Sequence, residues 1–588
     1  MEYGVINNGK LETQLNVALD STETELEESM ELGTGYNSTT KEWTLIIRYS
    51  GDTEKIRNIS ESFDELAGGY GIVRIKEIRI EELSSLGNVL YIEKPKKLYY
   101  EISEGISNSC INSVQLEPFN LFGDGIIVGV IDSGIDYLNN AFLDGNGKTR
   151  IISIWDQTLP NSDTNSPPAG YSQGVEFTKE QINMAINAGF ISRNEAYRIV
   201  PSRDISGHGT HVAGICCGNF ASDKNNNIGI ATKASIIIVK LGNENNGFPR
   251  TTELMTAIDY VVKKGMELNM PVAINLSFGN NYGSHDGMSL LETFIDTVAS
   301  LGRTTIVAGS GNEGSSGSHV SGQIINTMIP DEIQLITGNF EKAFNVQLWK
   351  SYSDTFEIEI TGPSGASTGF IKENNEITRY VIDNTQIIIY FGQPSPYSIY
   401  QEIYFDFIPQ SSYITEGIWK IGIRGESVND GKYDMWLPVS NALSTNTRFV
   451  RTNPETTLTI PSTASNVISV GAYNTYTDSY ADFSGRGYTR STNQIKPDIV
   501  APGVNILSAA VGGGMTLRSG TSMAAPFVTG GAALLMEWGI INRNDPYLYG
   551  EKVKAYLIKG AKQLPGMYDT PNPLTGWGKL CVKDSIPV

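Results

Sequence analysis

The stretch SGTSMAAPFVTGGAALL, residues 519–535, places one serine hydroxyl, Ser522, between Thr521 and Met523 ahead of small and apolar residues. Two readings fit it. In one, a glycine turn leads into a close-packed helix and Ser522 is its N-cap. In the other, the helix start exposes the Ser522 Oγ and aims free backbone N–H groups at a developing oxyanion, while Ala524 and Ala525 let the helix press on a sheet. Pro526 is expected in the first helical turn, where it gives up no ladder bond. The second reading needs a base and an acid from elsewhere in the chain.

Outward from this stretch, IIVGVID, SIIIVKL, VAINLSFG and TTIVAG read as strands buried on both faces, as parallel strands in an α/β sheet are. Such sheets gather functional groups at the carboxyl ends of their strands, and Asp132 closes the first of them. The same texture returns in NVISVGAYN and KPDIVAPGVNILS. Between these blocks FNVQLWKSY, TFEIEITGPSG, TQIIIYFG, IYQEIYFDFI and IWKIGIRG alternate with Gly, Pro, Ser and Asn clusters, the pattern of an all-β insertion. Near the N-terminus WTLIIRYSG and YGIVRIKEI read as strands around a segment with Ile56, Ile59, Phe63 and Leu66 at helical spacing. The expected fold is α/β: a core with a mostly parallel sheet, an N-terminal α+β region and an inserted all-β sandwich of jelly-roll type. Its expected segments are 1–101, 102–320, 321–456 and 457–588.

Composition limits the function. Lys and Arg total 44 against 64 Asp and Glu, a net charge of −20 that repels nucleic acid and anionic membrane, so neither is an expected partner. The N-terminus has no basic-then-apolar signal pattern, and GGAALLMEWGII is too short to span a bilayer, so cytoplasmic synthesis is expected. Four cysteines, Cys110, Cys216, Cys217 and Cys581, suggest neither a disulfide framework nor a zinc site, which favours a reducing compartment. Cys216 and Cys217 are expected to pack on the helix that follows His208.

The base and the acid are found at a distance. Asp132 lies in VIDSGIDY and His208 in DISGHGTHVAGI. An imidazole can deprotonate a serine near neutral pH when a carboxylate fixes its tautomer and stabilises its charged form. Singly each residue has an ordinary reading: Asp132 as a turn residue, His208 as a satisfied helix-start residue like His211, Ser522 as a cap. Jointly they form a nucleophile, a base and an orienting acid.

In this order VIDSGID, HGTHVAGI, NLSFG, GSGNEG and SGTSMAAP resemble the subtilisin-like serine proteases, over about residues 120–320 and 455–588. The resemblance implies Ser522 as nucleophile, His208 as general base and then acid, and Asp132 as the residue orienting it. It also implies Asn312, otherwise a turn residue between glycines, as the side-chain donor of the oxyanion hole. An extended peptide or protein substrate would lie along Leu276, Ser277, Phe278 and Gly279, with Gly247 and Phe248 on the other side, where Pro249 has no N–H to offer. Thr459 would sit at the base of the pocket for the residue preceding the cut. The N-terminal region resembles a prodomain that inhibits and chaperones its own enzyme and is cut between Tyr99 and Glu104, although the same segment reads equally as a linker.

LGTGYN, YIEKPKKL, IWDQT and the β insertion resemble more closely the clostridial Csp proteases of spore germination. That resemblance implies activation of a cortex-lytic zymogen and a spore-associated setting. The opposing reading is a signalling scaffold without turnover, locked by its prodomain. No cofactor is expected to be required. The acidic loops NSDTN and ASDKNNN are candidates for Ca²⁺ as well as solvated turns, and four scattered histidines do not suggest zinc.

Overall fold

The computed structural model describes residues 9–100, 109–162, 165–220, 229–243, 248–374 and 376–587. It forms two compact units, each assembled from separate stretches of chain.

One unit comprises Tyr100–Gly279, Leu291–Asn312 and Pro461–Val588. Its nine-stranded sheet runs Ser479–Tyr480, Ile468–Asn474, Thr304–Gly309, Val272–Leu276, Ile127–Asp132, Ser235–Lys240, Ile151–Asp156 and Val175–Thr178, with Ile499–Pro502 also paired to Ile468–Asn474. The inner pairings are parallel. Every residue of Ile127–Asp132, Val272–Leu276 and Thr304–Gly309 is buried, which is why these strands are continuous apolar runs. Ile131 lies opposite Leu276 and Leu276 opposite Ala308, so three neighbouring strands end together. The chain then delivers Asp132, Ser277 and Asn312 at one edge of the sheet. Helices His208–Cys217 and Thr521–Met536 pack on each other and on this sheet.

Two expectations for this unit need correction. The apolar stretch read as GGAALLMEWGII belongs to a continuous helical run, Thr521–Ile541, long and apolar enough by composition to cross a membrane; 83% of its most apolar window is buried, as in a core helix. Cys110 and Cys581 form a disulfide across 471 residues of sequence, against the expectation of no disulfide and against the argument for a reducing compartment. The physical reason is the meeting of two distant segments: Val582 N–H donates to the Ser109 carbonyl at 3.2 Å, and Asn112–Gln115 touches Val582–Ser585. Cys216 and Cys217 are free and buried on the histidine helix.

The other unit comprises residues up to Tyr99, Asn280–Leu290 and Glu313–Ile460. Its N-terminal part is a five-stranded antiparallel sheet with helices Thr13–Asp20, Glu54–Ile59 and Ile80–Ser85. Phe63 and Leu66, read as helical, lie on the strand Ser62–Leu66; Ser60 Oγ donates to the Ile56 carbonyl and the helix stops at Ile59. In the insertion, strands from His319 to Phe449 form a six-stranded and a four-stranded antiparallel sheet around one core that includes Phe344, Phe356, Phe407 and Trp419.

The expected division into four consecutive segments gives way to a shared core. On Thr385–Phe391, Ile387 and Ile389 face the insertion's own core, while Ile388 and Tyr390 join Leu15, Trp43 and Ile47 of the N-terminal part. Tyr404 and Ile408 do the same from the neighbouring strand. Both faces of this sheet are covered, so TQIIIYFG is apolar throughout and not alternating.

Candidate active site

Asp132 stands at the end of its strand, and the Ser133 N–H donates to its Oδ1 at 2.7 Å. The same oxygen lies 2.7 Å from His208 Nδ1, and both side chains are buried. With a carboxylate as acceptor, Nδ1 carries the proton and Nε2 is left as the basic nitrogen. His208 opens the helix His208–Cys217. A Cβ on the next residue, Gly209, would lie 2.2 Å from the Gly134 carbonyl oxygen, so only glycine lets this helix start seat against the loop after Asp132.

Asp204 was absent from the sequence reading and belongs to this construction. Its carboxylate accepts from Ser133 Oγ at 2.8 Å, Gly207 N at 2.9 Å, Thr210 N at 2.8 Å and Thr210 Oγ1 at 2.7 Å. It ties the aspartate loop to the first turn of the histidine helix and satisfies two backbone donors there. The available signal was an acid four residues before His208, where it can fold back on a helix N-terminus.

Burial alone would push the His208 pKa down; the Asp132 charge and hydrogen bond more than offset it, so the net shift is upward, against a smaller lowering by Arg518. His211, one turn on, behaves differently. Its Nε2 lies 2.9 Å from the Ile506 carbonyl, and burial brings its pKa down to about 3. It is a neutral structural residue, as expected.

Ser522 is the second residue of Thr521–Met536, and its Oγ donates to the Ser277 carbonyl at 3.2 Å. Pro526 is the sixth residue of that helix, beyond the first turn where it was expected. Lacking an N–H, it leaves the Ser522 carbonyl without its helical donor. Ser277 Oγ supplies one at 3.1 Å, and is itself held by Asn275 Nδ2 at 2.8 Å, whose Oδ1 accepts from Thr529 Oγ1 at 3.0 Å. The side chain of Ser277 thus supports the serine helix.

Asn312 Oδ1 accepts from Thr521 N at 3.1 Å, and a Cβ on Gly520 would stand 3.2 Å from Asn312 Nδ2. The amide therefore lies against the two residues that precede Ser522. Thr521 Oγ1 in turn accepts from Gly311 N at 3.1 Å, locking the helix start to the end of the strand Thr304–Gly309.

The expected substrate residues are less uniform. Leu276 and Phe278 are buried, with Phe278–Gly279 a short strand. Phe248 is exposed, and Gly247 lies outside the described residues. Thr459 is buried in the other compact unit. Of the expected cleavage segment, residues 101–104 lie outside the described residues. So do parts of both acidic loops, residues 163–164 and 221–228, and among the described residues no group of three or more His, Cys, Asp or Glu could hold a metal ion.

The Subtilase family model matches residues 123–358 and 441–578, more than half of the chain, and the chain belongs to that family. Residues 9–96 match the Csp protease B prodomain. The chain is similar to the CspB protease of Clostridium perfringens, with 40% identity and a TM-score of 0.74 over 81% of this chain and 95% of that one. The PII-type proteinase of Lactococcus lactis subsp. cremoris is 24% identical over 84% of this chain but only 27% of its own length. A subtilisin-like protease of Arabidopsis thaliana, SBT3.8, is 23% identical over 79% of this chain and 63% of its own. The chain thus spans about a quarter of the lactococcal proteinase and under two thirds of the plant enzyme.

Proposed function

We propose that this chain is a serine endopeptidase. The observation that carries the reading is the 2.7 Å Asp132–His208 pair at the same sheet edge as Ser277 and Asn312, which hold the Ser522 carbonyl and the Thr521 N–H. His208 Nε2 takes the Ser522 proton as Oγ attacks the peptide carbonyl carbon. Asn312 Nδ2 and the Ser522 N–H receive the oxyanion. His208 then protonates the leaving amine, and water enters by the same route in reverse to release the acid and restore Ser522. No metal or cofactor takes part in this scheme.

The finer reading is that the N-terminal region acts as a prodomain, removed by self-cleavage between Tyr99 and Glu104, and that the processed enzyme activates a protein zymogen. The resemblance of LGTGYN, YIEKPKKL and IWDQT to the clostridial Csp proteases of spore germination is the ground for reading a spore cortex-lytic enzyme as the target, with a spore-associated location. The two-sheet insertion is read as a jelly-roll type module. A second reading, a prodomain-locked scaffold, is favoured by the apolar core that the N-terminal region shares with the insertion. Expression of the wild type beside Ser522→Ala separates the two. A new N-terminus near residue 100 in the wild type alone supports the peptidase; identical uncut chains support the scaffold.

A further inference from the structure

Within the parallel-sheet unit a guanidinium stands beside the reactive pair. Arg518 is half-buried and ends the strand Met515–Arg518, just before the turn into the Ser522 helix. Two contacts hold that strand against the histidine helix and its lead-in: the Thr516 carbonyl lies 3.1 Å from His211 Nε2, and Arg518 Nη2 donates to the Ser206 carbonyl at 2.7 Å. A Cβ on Gly207 would stand 3.1 Å from Arg518 Nη2, so the guanidinium lies against the residue that precedes His208. Its charge reaches the imidazole, where it opposes the protonated form.

A guanidinium carries five N–H donors in a planar fork that matches a carboxylate. Among the described residues the Ser206 carbonyl is the only hydrogen-bond partner of Arg518, and no carboxylate pairs with it. Asp204, the acid of the same loop, is taken up by Ser133 Oγ, Gly207 N and Thr210. Which side of the cut this cation borders follows from the chemistry proposed above. His208 protonates the leaving amine, so the chain after the cut passes the imidazole. The chain before it is expected along Ser277–Gly279, and Ser277 meets Ser522 Oγ through its carbonyl. Arg518, held at Ser206 and Gly207, therefore borders the leaving side.

The chain itself carries a sequence to match. Whichever bond between Tyr99 and Glu104 is cut, Glu104 falls on the leaving side, joined by Glu101 for a cut before it. No Lys or Arg stands between Lys97 and Lys148, so that side is acidic, while Lys94, Lys96 and Lys97 all fall before the cut. Resting on the peptidase reading, we propose that Arg518 is a specificity residue: it selects substrates with an acidic side chain in the first few residues after the cut, and Glu104 is the acid that it meets in self-cleavage. Because such a pair is partly exposed, the preference is modest and falls with salt.

The test is a charge swap in the full chain, made by cell-free synthesis, with the band of the processed enzyme timed on gels. Glu104→Lys and Arg518→Glu are each expected to slow processing by about threefold to tenfold, and the double variant to regain most of the wild-type rate. Salt at about 0.5 M should erase these differences. Glu104→Lys processed as fast as the wild type, or a double variant no faster than Arg518→Glu, overturns the proposal. Should Arg518→Glu fail to fold, the processed wild type is assayed on peptides that differ only in Glu, Gln or Lys at the first and second positions after the cut. A kcat/KM about threefold or more higher for Glu than for Lys supports the assignment, and equal values overturn it. Fluorophosphonate labelling of Ser522 keeps the two readings apart. Wild type that labels and cuts without a charge preference sinks this inference alone; wild type that neither labels nor cuts sinks the peptidase reading with it.

Discussion

The two compact units bury charge in different ways. In the parallel-sheet unit several buried groups take some of their partners from nearby in sequence, Asp132 from the next residue's N–H, Asp204 from Gly207 and Thr210 and Lys496 from Asp498, while Asp132–His208 and Ser133–Asp204 join distant stretches. In the unit that combines the N-terminal region and the insertion, several buried groups meet across those two parts of the chain. Ser29 donates to Asp406, Arg379 pairs with Glu25, and Glu93 and Glu402 line one cavity. Buried ion pairs repay their desolvation only when geometry is good. In the first unit backbone N–H groups beside Asp132 and Asp204 help to meet that requirement. The second spreads several ionisable groups over a contact surface, and burial shifts their protonation.

Several substitutions would sharpen or break this contrast. The largest effect is expected for Asp132→Asn, which keeps the shape but loses the tautomer control on His208: kcat should fall on the order of 10⁴. Because Asp132 raises the His208 pKa and the imidazole must be neutral to act, wild-type activity is lost as pH falls through that raised value. In the variant the acid limb of the residual rate should move to lower pH, which a pH–rate profile for kcat/KM checks. An unmoved limb would mean that His208 is not the titrating base.

Asn312→Ala comes next, with kcat lower by about 10²–10³ and KM changed less, measured on a peptide substrate. Ser277→Ala acts on the fold first. It removes the hydroxyl donor to the Ser522 carbonyl above Pro526, at about 1–3 kcal/mol, and lowers the unfolding midpoint along with kcat. The smallest effect belongs to the other unit. Burial brings the Asp406 carboxyl up to about 7, beside Lys94, Glu31, Glu25 and Ser29. A raised carboxyl favours the protonated folded state, so its contribution is present at low pH and is lost as pH rises from the ordinary value of 3.8 to about 7. Asp406→Asn should flatten the fall in unfolding midpoint over that range.

The contrast also explains what could be read in advance. Asp132, His208 and Ser522 were picked out as an acid, a base and a nucleophile in short distinctive stretches, and Asn312 only through the resemblance to the subtilisin-like proteases; the glycines of those stretches mark tight backbone approaches. Gly209 against the loop after Asp132 is the plainest case. Asp204 and the supporting role of the Ser277 hydroxyl were missed, because their work depends on which carbonyl or N–H lacks a helical partner. That is a property of helix register, and Pro526 at the sixth position was its trace. The shared core of the N-terminal region and the insertion left one sign, the unbroken apolar run TQIIIYFG, which was read as a strand without asking what covered its second face. The disulfide left none, since Cys110 and Cys581 are brought together by the fold alone.

The central claim is that Ser522 is made nucleophilic by His208 and Asp132. Its most direct measurement is covalent labelling by a fluorophosphonate, located by peptide mass analysis, in the wild type, Ser522→Ala and Asp132→Asn. The account predicts a single modified residue, Ser522, in the wild type, much slower labelling in Asp132→Asn and none in Ser522→Ala. Wild type that stays unlabelled after the N-terminal region has been removed, or that labels at the same rate as Asp132→Asn, would contradict it.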